Sequence, residues 1–211
     1  MVSRISSLLA GLCFSVVLTA AAPVPVLLVL GDSLSAGYGI DPDDAWPSLL
    51  QRKLDSLGQA IFVVNASISG ETTRGGLTRL PGLLEEHRPA LVVLELGAND
   101  GLRGLPLEEF ASNMRGLVER AQAAGASVVV LPMEVPPNYG RAYSEGFRAV
   151  YADLPARFDG VSLTPFFLKD VMLEPSLLQA DGLHPTAAAQ ARMLETVWPT
   201  IEASLRHRES P

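Results

Sequence analysis

The segment VPVLLVLGDSLSAGYG, residues 24–39, joins an apolar run to a polar loop rich in glycine and serine. A continuous apolar run of this length is typical of a strand that is buried on both faces of a parallel sheet. The run ends at Gly31-Asp32-Ser33, so a small hydroxyl side chain follows the strand directly. Ser33 is therefore either a residue that helps the chain to turn or one that is presented to react.

The alternation of apolar runs and helical patterns continues along the rest of the chain. Further strands are predicted at residues 60–66, 90–96, 126–133 and 161–166, and helices at residues 45–58, 73–89, 106–125, 141–158 and 185–205. Strands separated by helices predict a parallel five-stranded sheet covered on both faces, which is a three-layer α/β/α arrangement. The 211 residues suffice for one filled core, and no linker or repeat divides them.

The charge of the chain excludes some classes of partner. The formal net charge is −7, and the sixteen lysines and arginines are scattered rather than clustered. A nucleic-acid surface needs clustered basic residues, so nucleic acid is not expected as a partner. No extended apolar face is left over, so we expect a monomer.

The first 22 residues have the pattern of a secretory signal peptide. A positive start at Arg4 precedes an apolar run from Ile5 to Leu18 and small residues up to Ala22. An uncleaved membrane anchor is the alternative, but Pro23 and Pro25 would break a spanning helix. We therefore predict cleavage near residues 20–22, a single domain over residues 23–211, no stable membrane insertion afterwards, and a periplasmic or secreted location.

Polar loops that contain glycine follow the first three predicted strands. They read GDSLSAGYG, NASISGETT and GANDGLRG. In an open parallel sheet, sites form beyond the carboxyl ends of the strands, near the point where the strand order reverses. If the order is 2-1-3-4-5, the second and third loops flank Ser33.

One of the three histidines, His184, is placed to activate a hydroxyl group. His207 lies in the charged C-terminal tail, and His87 lies at a predicted helix end beside two acids. His184 follows Asp181 by three residues, a spacing that lets the carboxylate accept a hydrogen bond from one ring nitrogen while the other faces outward. The alternatives are a capping aspartate with a surface histidine, or a metal pair, which lacks nearby ligands to complete its shell.

Two further residues suit an oxyanion hole, a set of donors aimed at developing negative charge. Gly70 offers its backbone N–H, Asn99 offers its side-chain NH₂, and the Ser33 N–H is a third donor. Each also has an ordinary interpretation, as a turn glycine or a loop asparagine.

An acyl chain would also need an apolar groove, for which the candidate walls are Leu102, Leu105, Pro136, Tyr139 and Phe167. Plain loop packing is the alternative for each wall residue.

The ordered set of motifs resembles a known family. The segment GDSLS near the start, Gly70 in the second loop, GAND in the third and DGLHP near the end resemble the four blocks of the SGNH (GDSL) hydrolases. The segments PPNYGRAYSEGFRAVY, PFFLKDV and QADGLHP further resemble the bacterial thioesterase I/protease I/lysophospholipase L1 and arylesterase branch. The similarity spans essentially the whole predicted mature chain.

The resemblance implies a flavodoxin-like fold with no metal and no organic cofactor. It implies that Ser33 is the nucleophile, His184 the base and Asp181 its orienting acid, with Ser33, Gly70 and Asn99 forming the oxyanion hole. The implied activity is the hydrolysis of carboxylic esters and thioesters, with a small acyl ester or thioester as the partner.

Three other functions remain open at this stage. A carbohydrate acetylesterase would use the same residues, and an exported binding protein would use the same cleft to hold a small ligand without turnover. A metal-dependent phosphoesterase would use Asp32, Asp100 and Asp181 as ligands instead.

Overall fold

The computed structural model describes the backbone of residues 24–209 and the side chains of residues 24–206. The predicted signal peptide, residues 1–22, lies outside the described residues. No helix among the described residues is both long enough and apolar enough to cross a bilayer.

Five strands form one sheet in which every neighbouring pair is parallel. The strands are β1 (Val26–Gly31), β2 (Phe62–Asn65), β3 (Leu91–Glu95), β4 (Ser127–Val130) and β5 (Val161–Leu163). Their order is β2-β1-β3-β4-β5, as the sequence predicted. The strands β4 and β5 end three residues earlier than predicted, because Pro132 and Pro165 lack the N–H that a ladder needs.

Seven α-helices accompany the sheet in the part of the chain that the structure describes. They are α1 (Ser33–Ala36), α2 (Trp46–Ser56), α3 (Thr73–His87), α4 (Ala98–Leu102), α5 (Leu107–Ala123), α6 (Arg141–Arg157) and α7 (Gln190–Glu209). The five long helices correspond to the predicted ones, except that α7 begins five residues later than the predicted start at residue 185. The two short helices occupy segments that the sequence analysis treated as loops, because four or five residues are too few to show a helical period.

The helices cover both faces of the sheet, so the predicted α/β/α layering is confirmed. Helix α2 packs against α7 on one face, and α3, α5 and α6 pack side by side on the other. The central strands β1 and β3 are buried on both faces; Leu27 to Leu30 and Leu91 to Leu94 have no exposed surface. The long apolar runs of the sequence are therefore explained by burial on two sides.

The carboxyl ends of the central strands hold the loops that carry the predicted site. In the register of β1 and β3, Gly31 lies opposite Glu95. A Cβ atom at Gly31 would lie 2.7 Å from the Glu95 Oε2 and 2.8 Å from the Ser35 Oγ, so a larger residue would displace both side chains. The glycine before Asp32 is thus required by close packing against a buried carboxyl group.

Candidate active site

Ser33 is the first residue of helix α1, and a single residue, Asp32, separates it from the end of β1. Asp32 caps this helix, since its Oδ1 accepts a hydrogen bond of 3.0 Å from the Leu34 N–H. An aspartate before a helix is a favoured N-cap, and it fixes the direction of the chain at this point. The Ser33 hydroxyl is thereby held at the carboxyl edge of the sheet, beside the loops that follow β2 and β3.

The structure brings His184 and Asp181 to Ser33 across 151 residues of sequence. The His184 Nε2 lies 2.9 Å from the Ser33 Oγ, and the His184 Nδ1 lies 2.7 Å from the Asp181 Oδ2. With Nδ1–H donating to the carboxylate, Nε2 is left as an acceptor for the Ser33 hydroxyl proton. This arrangement can deprotonate a serine during attack on a carbonyl carbon.

Asp181 is held as a carboxylate by hydrogen bonds from its own turn. The backbone N–H of His184, the His184 ring and the backbone N–H of Leu183 together hold the pKa of Asp181 well below its usual range. The two backbone bonds, at 3.0 and 2.9 Å, both end on Oδ1, which leaves Oδ2 for the ring. The negative charge beside the ring can stabilise an imidazolium when His184 accepts a proton.

The other two predicted donors of the oxyanion hole lie in the segments that follow β2 and β3. Asn99 is the second residue of helix α4, and its Nδ2 donates to the Asp32 Oδ2 at 3.0 Å. Gly70 has a φ of 81°, a left-handed conformation that favours glycine. Within the described part of the chain, the Gly70 N–H has no hydrogen-bond acceptor, while its carbonyl oxygen accepts from the Arg103 Nη2 at 3.0 Å.

A buried pair of carboxyl groups, Asp32 and Glu95, lies behind the serine. Neither side chain is exposed, and burial raises the pKa of Asp32 to about 6, although hydrogen bonds from Leu34 and Asn99 oppose that rise. Burial, and then the charge of Asp32, raises the pKa of Glu95 well above its usual range. Burial thus disfavours the charged form of both carboxyl groups, and the negative charge on Asp32 disfavours it further for Glu95.

Glu95 was missed by the sequence analysis, which placed it in an apolar strand. Its Oε2 accepts hydrogen bonds from the Asp32 N–H at 3.2 Å and from the Ser35 hydroxyl at 2.7 Å. It thus ties the end of β3 to the chain on both sides of Ser33. The available signal was a glutamate within a fully apolar strand, which is rare unless the side chain is paired.

A cavity of about 280 Å³ opens beside Ser33, Asn99 and His184. Two of the five predicted wall residues, Leu102 and Pro136, line it. The other lining residues that the sequence analysis did not name are mostly apolar: Leu34, Ala98, Met133, Glu134, Leu168, Met172 and Leu183. The cavity has the apolar character that an acyl chain requires.

The other three predicted wall residues do not line this cavity. The prediction for Phe167 is wrong, because its side chain has no exposed surface and packs edge-on against Trp46, with a ring-centroid distance of 5.6 Å. The neighbouring Leu168 lies in the wall instead. The Tyr139 hydroxyl donates to the Leu102 carbonyl, and the Tyr143 hydroxyl donates to the Leu105 carbonyl. Tyr139 and Leu105 thus take part in hydrogen bonds that connect the loops around the cavity.

The three aspartates considered as metal ligands do not converge on one point. Asp100 accepts from the backbone N–H and the hydroxyl of Thr73, Asp32 faces Asn99, and Asp181 faces His184. Among the described residues, no group of three or more potential ligands is arranged to hold a metal ion.

A second cavity, of about 480 Å³ between residues 125–127 and 157–160, contains none of the predicted site residues.

Comparison with known proteins identifies the class of protein that this fold and site define. Residues 29–192 match the GDSL-like lipase/acylhydrolase family, so the chain belongs to that family. It is a carboxylic ester hydrolase, and the predicted resemblance is confirmed.

Three curated relatives cover most of the chain. The esterase TesA of Pseudomonas aeruginosa is 48% identical over 198 residues, which are 94% of this chain and 98% of that protein. An arylesterase of Vibrio mimicus is 50% identical over 171 residues, 81% of this chain and 85% of that protein. The thioesterase 1/protease 1/lysophospholipase L1 of Escherichia coli is 44% identical over 195 residues, 92% of each chain.

Two crystal structures share the fold. One, of TesA, superposes with a TM-score of 0.82 at 49% identity and covers 85% of this chain and 99% of its own. The other is the psychrotrophic esterase EstA from Pseudoalteromonas sp. inhibited by monoethylphosphonate, with a TM-score of 0.82, 40% identity, and coverage of 86% of this chain and 98% of its own.

Proposed function

We propose that this protein is an exported serine hydrolase that cleaves carboxylic esters and thioesters through an acyl-enzyme. The observation that carries the proposal is the 2.9 Å contact between the Ser33 Oγ and the His184 Nε2, with Asp181 on the other ring nitrogen at 2.7 Å. A hydroxyl, a base and an orienting carboxylate in line are what a serine nucleophile needs.

In the first half of the reaction, Ser33 attacks the acyl carbonyl carbon. His184 takes the hydroxyl proton on Nε2 as the new C–O bond forms, and the carbonyl oxygen becomes an oxyanion. His184 then gives that proton to the leaving alcohol or thiol as the bond to the leaving group breaks. The acyl group remains on the Ser33 Oγ as an ester.

In the second half, water cleaves the acyl-enzyme by the same route. His184 takes a proton from the water that attacks the ester, and the proton returns to the Ser33 oxygen as the acid leaves. Throughout both halves, the Asp181 carboxylate orients the ring and stabilises its charged form. The low pKa of Asp181 supports this role, because the group stays ionised over the whole neutral range.

The oxyanion is held by three donors in this proposal: the Ser33 N–H, the Gly70 N–H and the Asn99 amide. The free Gly70 N–H and the left-handed backbone that presents it support the assignment. The Asp32 carboxylate sets the rotation of the Asn99 amide through a 3.0 Å hydrogen bond. Asp32 and Glu95 are therefore positioning residues rather than catalytic ones.

The names of the relatives guide the proposed substrates. An arylesterase and a thioesterase/lysophospholipase support activity on aryl esters, thioesters and lysophospholipids. The cavity beside Ser33 supports an acyl group as the part that is bound, and Leu102 and Pro136 are proposed as part of its wall. Export and cleavage near residues 20–22 rest on the signal-peptide pattern of the sequence.

The proposal is tested with a panel of p-nitrophenyl esters of short and long chain length, an acyl thioester and a lysophospholipid. We expect turnover that a chelator does not inhibit and that Ser33→Ala reduces by at least about 10³-fold. Ser56→Ala, which removes an exposed hydroxyl on helix α2, is the matched control and should leave the activity unchanged. Ligand binding without turnover, or full activity in folded Ser33→Ala protein, would contradict the proposal.

A further inference from the structure

The wall of the cavity beside Ser33 contains one acidic side chain that the proposed reaction does not use. Glu134 is exposed and lines the same cavity as Ser33 and His184. Among the described side chains, its carboxylate has no hydrogen-bond or ion-pair partner. An unpaired carboxylate in the wall of a cavity can interact with a charged group that enters the cavity.

The backbone on both sides of Glu134 is firmly held. Met133 and Val135 are buried, with 3% and 8% of their surface exposed, so the residue between them is anchored at both neighbours. Pro136 and Pro137 follow, and their fixed φ angles restrict the chain further. The backbone that carries the Glu134 side chain is therefore anchored by its buried neighbours and restricted by the two prolines.

No basic side chain balances this carboxylate in the cavity. Among the described lining residues there is no lysine or arginine, and His184 is engaged by Ser33 and Asp181. The other lining acid, Asp32, already accepts from Leu34 and Asn99 and is fully buried. The Arg103 side chain donates to the Gly70 carbonyl and is absent from the lining. Glu134 is therefore the one exposed carboxylate among the described lining residues, and no lining lysine or arginine offsets its charge.

We propose that Glu134 is a specificity-determining residue that makes the site reject substrates carrying an anionic group in this cavity and prefer those carrying a cationic one. The inference rests on the proposed ester hydrolase function. Two unit charges several ångströms apart at a solvent-accessible site change a rate constant by about three- to tenfold. A neutral substrate should be indifferent to the same charge.

The test uses two sets of matched substrates, because the charged group can belong to either half of the ester. The acyl set consists of p-nitrophenyl esters of equal chain length that end in a carboxylate, a methyl or a trimethylammonium group. The leaving-group set compares a butyryl ester of choline with that of its neutral isostere, 3,3-dimethylbutanol. The ratio of kcat/KM for the charged and neutral members is measured in each set.

We expect Glu134→Gln to reduce the preference for cationic over neutral substrate by about three- to tenfold in one set, and Glu134→Lys to reverse it. The set that responds identifies the half of the ester that occupies the cavity. The wild-type preference should also weaken between 0.01 and 1 M salt, as the Debye length falls from about 30 Å to about 3 Å.

The control is Glu85→Gln, which removes the same charge from an exposed position near the end of α3 and should leave every ratio unchanged. Equal ratios in wild type, Glu134→Gln and Glu134→Lys in both sets would overturn the inference. That outcome is distinct from a failure of the proposed function, which full activity of Ser33→Ala would reveal.

Discussion

Asn99 owes its orientation to a buried carboxylate rather than to the backbone of its own helix. The Asp32 Oδ2 accepts its amide at 3.0 Å, and the Asp32 Oδ1 is taken by the Leu34 N–H. One residue next to the nucleophile thus fixes both the start of helix α1 and the direction of a proposed oxyanion donor.

Removing the Asn99 donor should lower turnover while the fold persists. For Asn99→Ala we expect kcat to fall by about 10²–10³-fold, because one oxyanion donor is lost where charge develops. Steady-state kinetics with a p-nitrophenyl ester measures the change, and circular dichroism checks that the variant is folded. A kcat near that of the wild type would remove Asn99 from the oxyanion hole.

Replacing Asp32 by asparagine tests the positioning role. Leu34 and Asn99 donate to different oxygens of Asp32, and an amide replaces one of these oxygens with an NH₂ group that cannot accept a hydrogen bond. We expect Asp32→Asn to reduce kcat by about tenfold or more, with KM changed less than threefold. A proportional rise in KM with kcat unchanged would instead indicate damage to substrate binding.

At the residue scale, the sequence analysis correctly paired residues that lie far apart. Ser33, His184 and Asp181 could be brought together because motif spacing and the strand order both pointed to one edge of the sheet. Glu95 could not be found, since its burial and its neighbours follow from the register of β1 and β3. The Phe167 prediction failed because a one-residue difference decides whether a side chain faces the core or the cavity.

At the scale of single elements, the first residue of helix α3, Thr73, donates hydrogen bonds to a buried carboxylate in another helix, Asp100 of α4. The backbone N–H and the hydroxyl of Thr73 donate to Asp100 at 2.9 and 2.5 Å, and the Asn113 amide donates to the same hydroxyl at 3.2 Å. These bonds join the start of α3 to α4 and α5. They also set the position of the loop that carries Gly70, since Thr73 follows it by three residues.

Thr73→Val keeps the shape of the side chain and removes its hydroxyl. Because Asp100 and Asn113 would each lose a buried partner, we expect the free energy of unfolding to fall by about 1–3 kcal/mol. The matched control is Thr78→Val, which removes an exposed hydroxyl from the same helix and should change stability by less than about 0.5 kcal/mol. Urea denaturation measures both, and equal effects would contradict the role given to Thr73.

The long helices were predictable from hydrophobic periodicity, and the short ones were not. Helices α1 and α4 exist because residues at the ends of β1 and β3 have local partners, such as the Asp32 cap of α1. Such partners depend on side-chain rotation and leave no periodic trace in the sequence.

At the scale of the whole molecule, the buried Asp32 links stability to pH. Its pKa is about 6 in the folded protein and 3.8 in its ordinary state. Between these values the folded protein retains a proton that the unfolded chain has released, so this group's contribution to stability falls as the pH rises from about 4 to about 6.

Asp32→Asn removes that titration. We compare the change in the free energy of unfolding between pH 4.5 and pH 7 in the two proteins. Relative to Asp32→Asn, the wild type should lose about 1–3 kcal/mol of stability over this range. Urea denaturation at both pH values in both proteins gives the comparison. An identical pH dependence in the two proteins, or one of opposite sign, would contradict the raised pKa.

The topology of the sheet followed from the sequence because each apolar run was separated from the next by a helix-length segment. The order β2-β1-β3-β4-β5 then places the first three loops at one edge. The sequence predicted two walls of the cavity, in the loop after Asn99 and in the loop after β4 that contains Pro136. It did not predict the wall formed by residues 168–183.

The most direct test of the account is covalent labelling with a fluorophosphonate, followed by mass-spectrometric mapping of the modified residue. We predict one equivalent of label on the Ser33 Oγ, a much slower reaction in His184→Ala, and no label in Ser33→Ala. Label on a different residue, or equal labelling of Ser33→Ala, would contradict the assignment of Ser33 as the nucleophile.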